Sequence, residues 1–291
     1  MKFRNIITSV LTIAAIAAGS LQFPASVISH GAADGGFTDA QIEASKLKPT
    51  LSASTIDLKA ADAPSSVQTI NITIKGADSS YSSTGFHVYF DKRLTLVPNQ
   101  WGGAATKGSG ITMLSSESYS KGNCIFLTTA GSKDLGEDGV MWSFKVKLPE
   151  NAENGDFYPI RLVYEKGKIT EDVFINDSSD NDSRLMQAWI FTRGMKDGYI
   201  KVGDYNAGDA NCNGTVDLSD AVLIMQNVSN PDKFGVNGTA SGHITKQGLK
   251  NGDVASIGDG ITSRDALSIQ RLMLNSHLRS PKIDKDIDAD S

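Results

Sequence analysis

The twelve-residue segment Asp209–Asp220 contains five aspartate and asparagine side chains at a particular spacing. The oxygens stand at positions 1, 3, 5, 9 and 12 of this segment, and Gly214 stands at position 6. Hard divalent cations take six to eight oxygen ligands, and glycine at the sixth position permits the sharp turn that wraps such a ligand set around one ion. The spacing therefore predicts a calcium site. Its ligands are the side chains of Asp209, Asn211, Asn213, Asp217 and Asp220 and the main-chain carbonyl of Thr215.

A second segment repeats this pattern from Asp253 to Asp265, with one residue more than the first. The two copies align through Val216 and Ile261, Asp220 and Asp265, Ala221 and Ala266, and Ile224 and Ile269. The predicted ligands of a second calcium ion are Asp253, Asp259 and Asp265. Ala255 stands where the third position needs an oxygen, so the first loop has the fuller ligand set.

Each acidic loop is followed by a stretch with helical periodicity. The apolar residues that share a face are Ala221, Ile224 and Val228 after the first loop, and Ala266, Ile269 and Met273 after the second. A calcium-binding EF-hand has a helix on both sides of its loop. The segments "YIKVGDYNAG" and "HITKQGLKNG", which precede the loops, contain glycine and predict no long helix.

The preceding part of the chain, 50–203, shows a period of two, which is typical of strands with one buried face. Clusters of Gly, Asn, Asp and Ser separate the strands, and this arrangement predicts an antiparallel β-sandwich. The alternating apolar residues are Ile70, Ile72 and Ile74; Phe86, Val88 and Phe90; Val140, Trp142, Phe144, Val146 and Leu148; and Tyr158, Ile160, Leu162 and Tyr164.

The chain has 291 residues and a formal net charge of −5, and without a basic block it is not expected to bind nucleic acid. Residues 1–33 read as a signal peptide with a cleavage site between Ala18 and Ala33, which predicts a secreted protein. No later apolar run is long enough for a membrane span, and no sorting signal for direct cell-wall anchoring is found. We assign residues 34–49 to an N-terminal segment, and we expect 282–291 to be a disordered acidic tail. The two cysteines of an exported chain could form one disulfide, but Cys212 lies in the acidic loop and Cys124 in a predicted strand of the other region, so two free thiols are favoured.

The duplicated loop-and-helix region, 204–281, resembles the dockerin module of cellulosomes. The strand-rich region resembles a cohesin, in particular the type III cohesins of rumen-bacterial scaffoldins. The segments that carry this second resemblance are "GFHVYFDKRLTLV", "GVMWSFKVKLPENAENGDFYPIRLVYE", "SRLMQAWIFTRG" and "DGYIKV". The resemblance implies that these segments are strands of a nine-stranded jelly-roll sandwich. An export signal, one cohesin and one dockerin together look like a small adaptor scaffoldin.

The resemblance also implies partners and contact residues. The cohesin would capture dockerins of secreted carbohydrate-active enzymes, and the dockerin would bind a cohesin of a larger scaffoldin. The implied dockerin-side contacts are Leu218, Ser219, Met225, Gln226, Ser263, Arg264, Gln270 and Arg271. On the cohesin, strand alternation directs His87 and Tyr89 outward, on a strand that in the family joins the dockerin-binding face.

Two other functions fit a dockerin-bearing chain. A carbohydrate-binding module would need exposed aromatic residues, for which Trp101 and Trp189 are the candidates. A small hydrolase would need a catalytic constellation, but the sequence has no GxSxG motif, and His87 reads as a strand residue. The sequence therefore favours a non-enzymatic protein.

Overall fold

The structure is a computed structural model that describes residues 33–166 and 172–278. The predicted signal peptide, up to residue 32, and the acidic tail lie outside the described residues. Contacts divide the described chain into two compact units, one ending at Gly203 and one beginning at Asp204. Among the described residues, no helix has both the length and the apolar character needed to cross a membrane.

The first unit is a sandwich of two β-sheets that contain thirteen strands in the described residues. The strands are β1 (Thr50–Ala53), β2 (Thr55–Leu58), β3 (Val67–Lys75), β4 (Ser83–Phe90), β5 (Thr95–Val97), β6 (Thr106–Lys107), β7 (Ser115–Lys121), β8 (Cys124–Ala130), β9 (Gly139–Lys147), β10 (Phe157–Val163), β11 (Val173–Ile175), β12 (Met195–Lys196) and β13 (Gly198–Val202).

Both sheets are mixed. The six-stranded sheet has the order β12-β1-β3-β9-β5, with β6 also paired to β9, and the seven-stranded sheet has the order β2-β13-β10-β4-β8-β7, with β11 also paired to β4. The pairs β1·β12 and β2·β13 are parallel, and the other pairs are antiparallel. The expectation of a sandwich is confirmed, but a purely antiparallel sandwich of nine strands is wrong. The parallel pairs lie at the sheet edges, where the short strands β12 and β2 pair with β1 and β13.

The predicted alternation places the core between the sheets. The inward residues of β3, β4 and β10 are all buried, as expected. In β9, however, Met141 and Trp142 are both buried, and Val140 is only partly covered. The β3·β9 register shifts at Ile72 and Thr73, and the extra residue of this bulge reverses the phase of the alternation. The predicted inward position of Val140 is therefore wrong, while Trp142 remains in the core.

The segment "SRLMQAWIFTRG" is helical, which corrects the strand that the resemblance implied. It forms α2 (Asn181–Trp189) and continues as a π-helical turn, Ile190–Gly194. The Asp180 side chain caps the start of α2 by accepting a hydrogen bond of 2.8 Å from the Ser183 amide. Met186 and Ile190, four residues apart, are buried on one face. A shorter helix, α1 (Asp39–Glu43), begins at the N-cap Thr38.

The second unit contains α3 (Leu218–Ser229), α4 (Pro231–Phe234), α5 (Lys246–Gly252) and α6 (Ser263–Leu278). Its core includes Ala221 and Ile224 of α3, as predicted, but Val228 is exposed. In α6 the buried residue after Ala266 and Ile269 is Leu272 rather than Met273. The buried apolar face of each helix therefore differs in one residue from the predicted face, with Leu223 buried in α3 and Leu272 in α6. Gly248 lies within α5 rather than ending it, and the close approach of Ala210 requires glycine there, because a Cβ would lie 2.1 Å from the Ala210 carbonyl oxygen.

Candidate calcium loops and docking faces

The first loop is held by main-chain amides that donate to its terminal carboxylates. Asp209 accepts hydrogen bonds from the amides of Asn213 (3.0 Å) and Gly214 (2.9 Å). Asp220 accepts from the amides of Asn211 (3.0 Å) and Asp217 (2.8 Å). Gly214 has φ of +90°, the left-handed conformation that favours glycine at the sixth position. The loop therefore has the turn and the convergent first and last carboxylates that its sequence predicts.

The second loop repeats this hydrogen-bond pattern. Asp253 accepts from the Gly258 amide at 2.7 Å, and Gly258 has φ of +95°. Asp265 accepts from the amides of Ala255 and Thr262, each at 2.8 Å. These bonds are the counterparts of those made by Asp209, Gly214 and Asp220. The extra residue lies after Gly258, so Asp259 follows the sharp turn directly.

The buried carboxylates of both loops fit a bound cation. Asp209, Asp220 and Asp265 are at most 3 % exposed, and Asp253 is 8 % exposed. The Oδ1 atom of Asp253 is buried and has no hydrogen-bond partner among the described residues. An unpaired buried carboxylate oxygen is costly unless it is compensated by a cation or a hydrogen bond. The donor chemistry of carboxylate, amide and carbonyl oxygens is the one that calcium prefers.

Electrostatics lead to the same conclusion. Burial raises the pKa of Asp220, and the neighbouring carboxylates of Asp209 and Asp217 raise it further. Burial likewise raises the pKa of Asp253, with added repulsion from Asp265 and Asp259. Bringing these carboxylates together without a counter-ion therefore costs free energy, which a divalent cation would offset.

The remaining predicted ligands are more exposed. Asp259 is exposed, and Asn213 uses its Oδ1 to accept from the amide (2.8 Å) and the hydroxyl (2.7 Å) of Thr215. No group of three or more Asp, Glu, His or Cys side chains that could hold a metal ion occurs in the described part of the chain. The ligand set predicted for the first loop also includes the side chains of Asn211 and Asn213 and the carbonyl of Thr215. The ligand assignments of both loops stay predictions. Cys212 in this loop and Cys124 in β8 are both free thiols.

His87 and Tyr89 lie on the outer face of the seven-stranded sheet, as the alternation predicts, but both are half-buried. His87 Nδ1 lies 3.0 Å from both carboxylate oxygens of Asp172. The Tyr89 hydroxyl donates to Glu165, whose amide donates to Asp172 at 2.8 Å. Burial lowers the pKa of His87, but the hydrogen bond to Asp172 and the charges of Asp172 and Glu165 outweigh burial and raise it overall.

The same face contains aromatic residues that sequence reasoning missed. Phe126 of β8 is in register with His87, and the two rings lie 4.8 Å apart. Tyr119 of β7 is in register with Phe126 and is 56 % exposed. Phe157 and Tyr199 form a second ring pair, with centroids 5.1 Å apart. In the sequence, Phe126 and Phe157 alternate with buried residues, which indicated that they point outward. Only strand pairing brings the aromatic rings together on one face.

The eight predicted contact positions on the helical unit are all exposed. On α3, Leu218, Val222 and Met225 form an exposed apolar stripe at helical spacing. Val222 was not among the predicted contact residues. On α6, Leu267 and Leu274 are also exposed and were also missed. Leu267 stands two residues after Asp265, as Val222 stands two residues after Asp220, so the duplication relates these two positions.

No protein-family model matches the chain. Solved structures and a curated protein do match it. A type III cohesin module from the ScaE cell-surface anchoring scaffoldin of Ruminococcus flavefaciens is 37 % identical. The match covers 58 % of this chain and 94 % of that one, with a TM-score of 0.56. A second match is to a structure of the third ScaB cohesin of R. flavefaciens in complex with a group 1 dockerin. It is 60 % identical over 24 % of this chain and 90 % of the solved chain, with a TM-score of 0.24.

The third match is a curated protein, a xylanase/beta-glucanase of R. flavefaciens. It is 51 % identical over 75 residues, which are 26 % of this chain and 9 % of the relative. The chain therefore spans less than a tenth of that enzyme.

Two packed mixed sheets with the ScaE module as a relative define a β-sandwich module of the cohesin type. Since the ScaE module is matched over nearly its whole length at 37 % identity, this chain belongs to the cohesin family.

Proposed function

We propose that the protein is a non-catalytic adaptor scaffoldin of a cellulosome. Its cohesin captures dockerins carried by secreted carbohydrate-active enzymes. Its second unit is a calcium-dependent dockerin that binds a cohesin of a larger scaffoldin. The protein is secreted and serves in the degradation of plant cell-wall polysaccharides.

The observation that carries this proposal is the duplicated loop on a chain that also contains a cohesin. Asp209 and Asp253 open the loops, Asp220 and Asp265 close them, and all four are buried and held by equivalent amides. A chain with one module of each type has two different docking surfaces. That arrangement suits a connector between two other proteins.

Calcium has a structural role in this proposal. The first ion is held by the ligands predicted for Asp209–Asp220, and the second by Asp253, Asp259 and Asp265. The ion supplies positive charge to buried carboxylates, so its binding free energy contributes to folding of the helical unit. The chain orients the carboxylates through the amides of Gly214 and Gly258.

The outer face of the seven-stranded sheet supports capture of a protein partner. Its aromatic rings, including Phe126 and Tyr119, are of the type enriched where protein interfaces concentrate binding free energy. Tyr89 and Glu165 add a polar pair next to these rings. The relative of known structure is itself a module of a cell-surface anchoring scaffoldin.

The test measures both docking activities on the full chain in calcium. Variants Tyr89→Ala and Phe126→Ala should weaken binding to a panel of dockerins and leave binding to a panel of scaffoldin cohesins unchanged. Asp209→Ala should do the reverse. Trp101→Ala, which removes an exposed ring from a loop rather than from the sheet face, is the matched control for the first pair.

Binding of neither panel by the wild-type protein would overturn the proposal. Release of reducing sugar from xylan or β-glucan by the purified chain would instead favour the hydrolase alternative. Retention on insoluble cellulose that is lost in Trp101→Ala would favour a carbohydrate-binding module.

A further inference from the structure

The outer face of the seven-stranded sheet, with Tyr119, Phe126, Phe157 and Tyr199, is called the aromatic face here. The outer face of the six-stranded sheet differs from it in chemistry. Along β3 the outward residues are those that alternate with Ile70, Ile72 and Ile74, and β9 contributes its own outward residues from Ser143 onward. Together with the neighbouring strands they are Thr50, Ser52, Val67, Thr69, Asn71, Thr73, Lys75, Thr95, Val97, Thr106, Ser143, Lys145, Lys147 and Lys196. We call this set the lysine face. Hydroxyl groups and lysines dominate it, and none of these positions is acidic.

The register places the four lysines at the two ends of the face. Lys147 pairs with Val67 and Lys145 with Thr69, at one end of β3. Lys75 ends β3 at the other end, and Lys196 lies two strands across, level with Thr73. From Val67 to Lys75 the strand extends about 27 Å at roughly 3.4 Å per residue. A band of threonine, serine and asparagine side chains separates the two lysine pairs.

The four ammonium groups have no acidic partner within residues 33–166 and 172–278. All four lysines are exposed, and none forms an ion pair with a described residue. Asp138, which lies beside the end of β3, uses its carboxylate to accept hydrogen bonds from the amides of Gly76 (2.7 Å) and Ala77 (2.8 Å). On a chain with a net charge of −5, a face with four cations and no anion is an uneven distribution of charge.

We propose that the lysine face binds an extended polysaccharide that carries carboxylates, of the polyuronate class. Lysines at both ends attract the carboxylates, and the hydroxyl and amide groups between them suit the hydroxyls of sugar rings. The face lacks exposed aromatic rings, so it does not suit a neutral glucan, which binds by stacking. The strand is long, with its two lysine-bearing ends about 27 Å apart at roughly 3.4 Å per residue, which fits a linear chain rather than a compact ligand.

The experiment measures retention of the calcium-loaded full chain on polygalacturonate after excess calcium is removed. Lys145→Gln with Lys147→Gln should weaken binding about tenfold at low salt, and so should Lys75→Gln with Lys196→Gln. The matched control is Lys92→Gln with Lys121→Gln, which removes the same charge outside the lysine face and should leave binding unchanged. Raising the salt from about 0.01 M to about 1 M shortens the Debye length from ~30 Å to ~3 Å and should abolish retention.

Fully methyl-esterified polygalacturonate has the same backbone without the charge and should not be retained. Equal retention on the esterified polymer, or equal loss in the control variant, would overturn the proposal. Tighter binding to polyglutamate or to DNA than to polygalacturonate would also overturn it, because the face would then recognise charge alone.

Discussion

At the scale of single residues, the acidic side chains of the two loops differ in how firmly the fold holds them. Asp209 is buried and accepts hydrogen bonds from two main-chain amides and from the Asn206 side chain at 3.0 Å. Asp259 is exposed and is fixed through its main chain, whose amide donates to Ser256 at 3.1 Å. A preorganised ligand loses less conformational entropy on binding an ion than a free one. The two aspartates should therefore contribute unequally.

We predict that Asp209→Ala weakens calcium binding far more than Asp259→Ala. Loss of Asp209 would remove a predicted ligand and leave two amide donors unpaired. The affinity of the first loop should therefore fall by ~100-fold or more, which exceeds the usual effect of losing an outer-shell partner. Asp259→Ala should cost about tenfold or less in the second loop. Isothermal titration with calcium measures both. A larger loss from Asp259→Ala would contradict the assignment of the first loop as the better formed site.

His87 is the other residue whose surroundings set its chemistry. Although burial alone would lower its pKa, Asp172 and Glu165 raise it above the ordinary value. A histidine whose pKa is raised on folding adds stability that is fully present below its unfolded pKa, about 6.5, and is lost as the pH rises through the folded pKa.

We therefore predict that His87→Gln destabilises the sandwich more at pH 6 than at pH 9. The cost near pH 6 should be about 1.5 to 3 kcal/mol, the range for hydrogen bonds to charged groups, and should fall to about 1 kcal/mol at pH 9. Denaturant unfolding followed by tryptophan fluorescence measures it, since all three tryptophans lie in the sandwich. His243→Gln, in the helical unit, should leave this transition unchanged. A loss that is independent of pH would rule out the charged pair.

At the scale of elements, the two helices that follow the loops expose unequal surfaces. On α3 the stripe of Leu218, Val222 and Met225 contains no charge. On α6 the exposed Leu267 and Leu274 are separated by Arg271, which lies on the same side at helical spacing. By the alignment of the two copies, a half-turn would place Arg264 and Arg271 where α3 has the uncharged Ser219 and Gln226. Burial of an unpaired guanidinium costs several kcal/mol, whereas about 1.4 kcal/mol suffices for a tenfold preference.

If the helical unit is a dockerin, we predict one dominant binding orientation, with α3 leading. Val222→Arg should then abolish binding to its cohesin, while Leu267→Arg, at the equivalent position of α6, should cost about tenfold or less. The two variants add the same side chain to matched positions, so surface plasmon resonance against a cohesin panel compares them directly. Equal and small losses in both variants would show that either helix can lead.

At the scale of the whole molecule, the two units depend on different forces. The sandwich buries a large apolar core that includes Trp142, Phe86 and Tyr158. In its described part, the helical unit buries fewer large side chains. It also buries four loop carboxylates, whose repulsion opposes folding. Calcium should therefore matter for one unit and not for the other.

We predict that chelation of calcium unfolds the helical unit and leaves the sandwich intact. The helical circular dichroism of the full chain should fall by most of the contribution of α3, α5 and α6, and added calcium should restore it. Tryptophan fluorescence should stay unchanged, because the helical unit contains no tryptophan. Full helicity in excess chelator would contradict the calcium role, and a fluorescence change would show that the sandwich also responds.

Much of this organisation was determined by the sequence alone. The loop spacing from Asp209 to Asp220 predicted the turn at Gly214, because ligand geometry allows few residue types at each position. The alternation of β3, β4 and β10 predicted their buried faces, because a period of two leaves one face for the core. The segments of the first unit also carried its resemblance to a cohesin.

Other features were decided only by the tertiary structure. The bulge in β9 reversed the phase at Val140, since register depends on the partner strand β3. The segment around Met186 is helical, and this conformation places Met186 and Ile190 on one face, where both pack into the core. The aromatic face and the lysine face both arise from residues on separate strands. Local sequence has no information on which strands pair, so only folding brings Phe126 beside His87 and Lys196 to the same sheet face as Lys75.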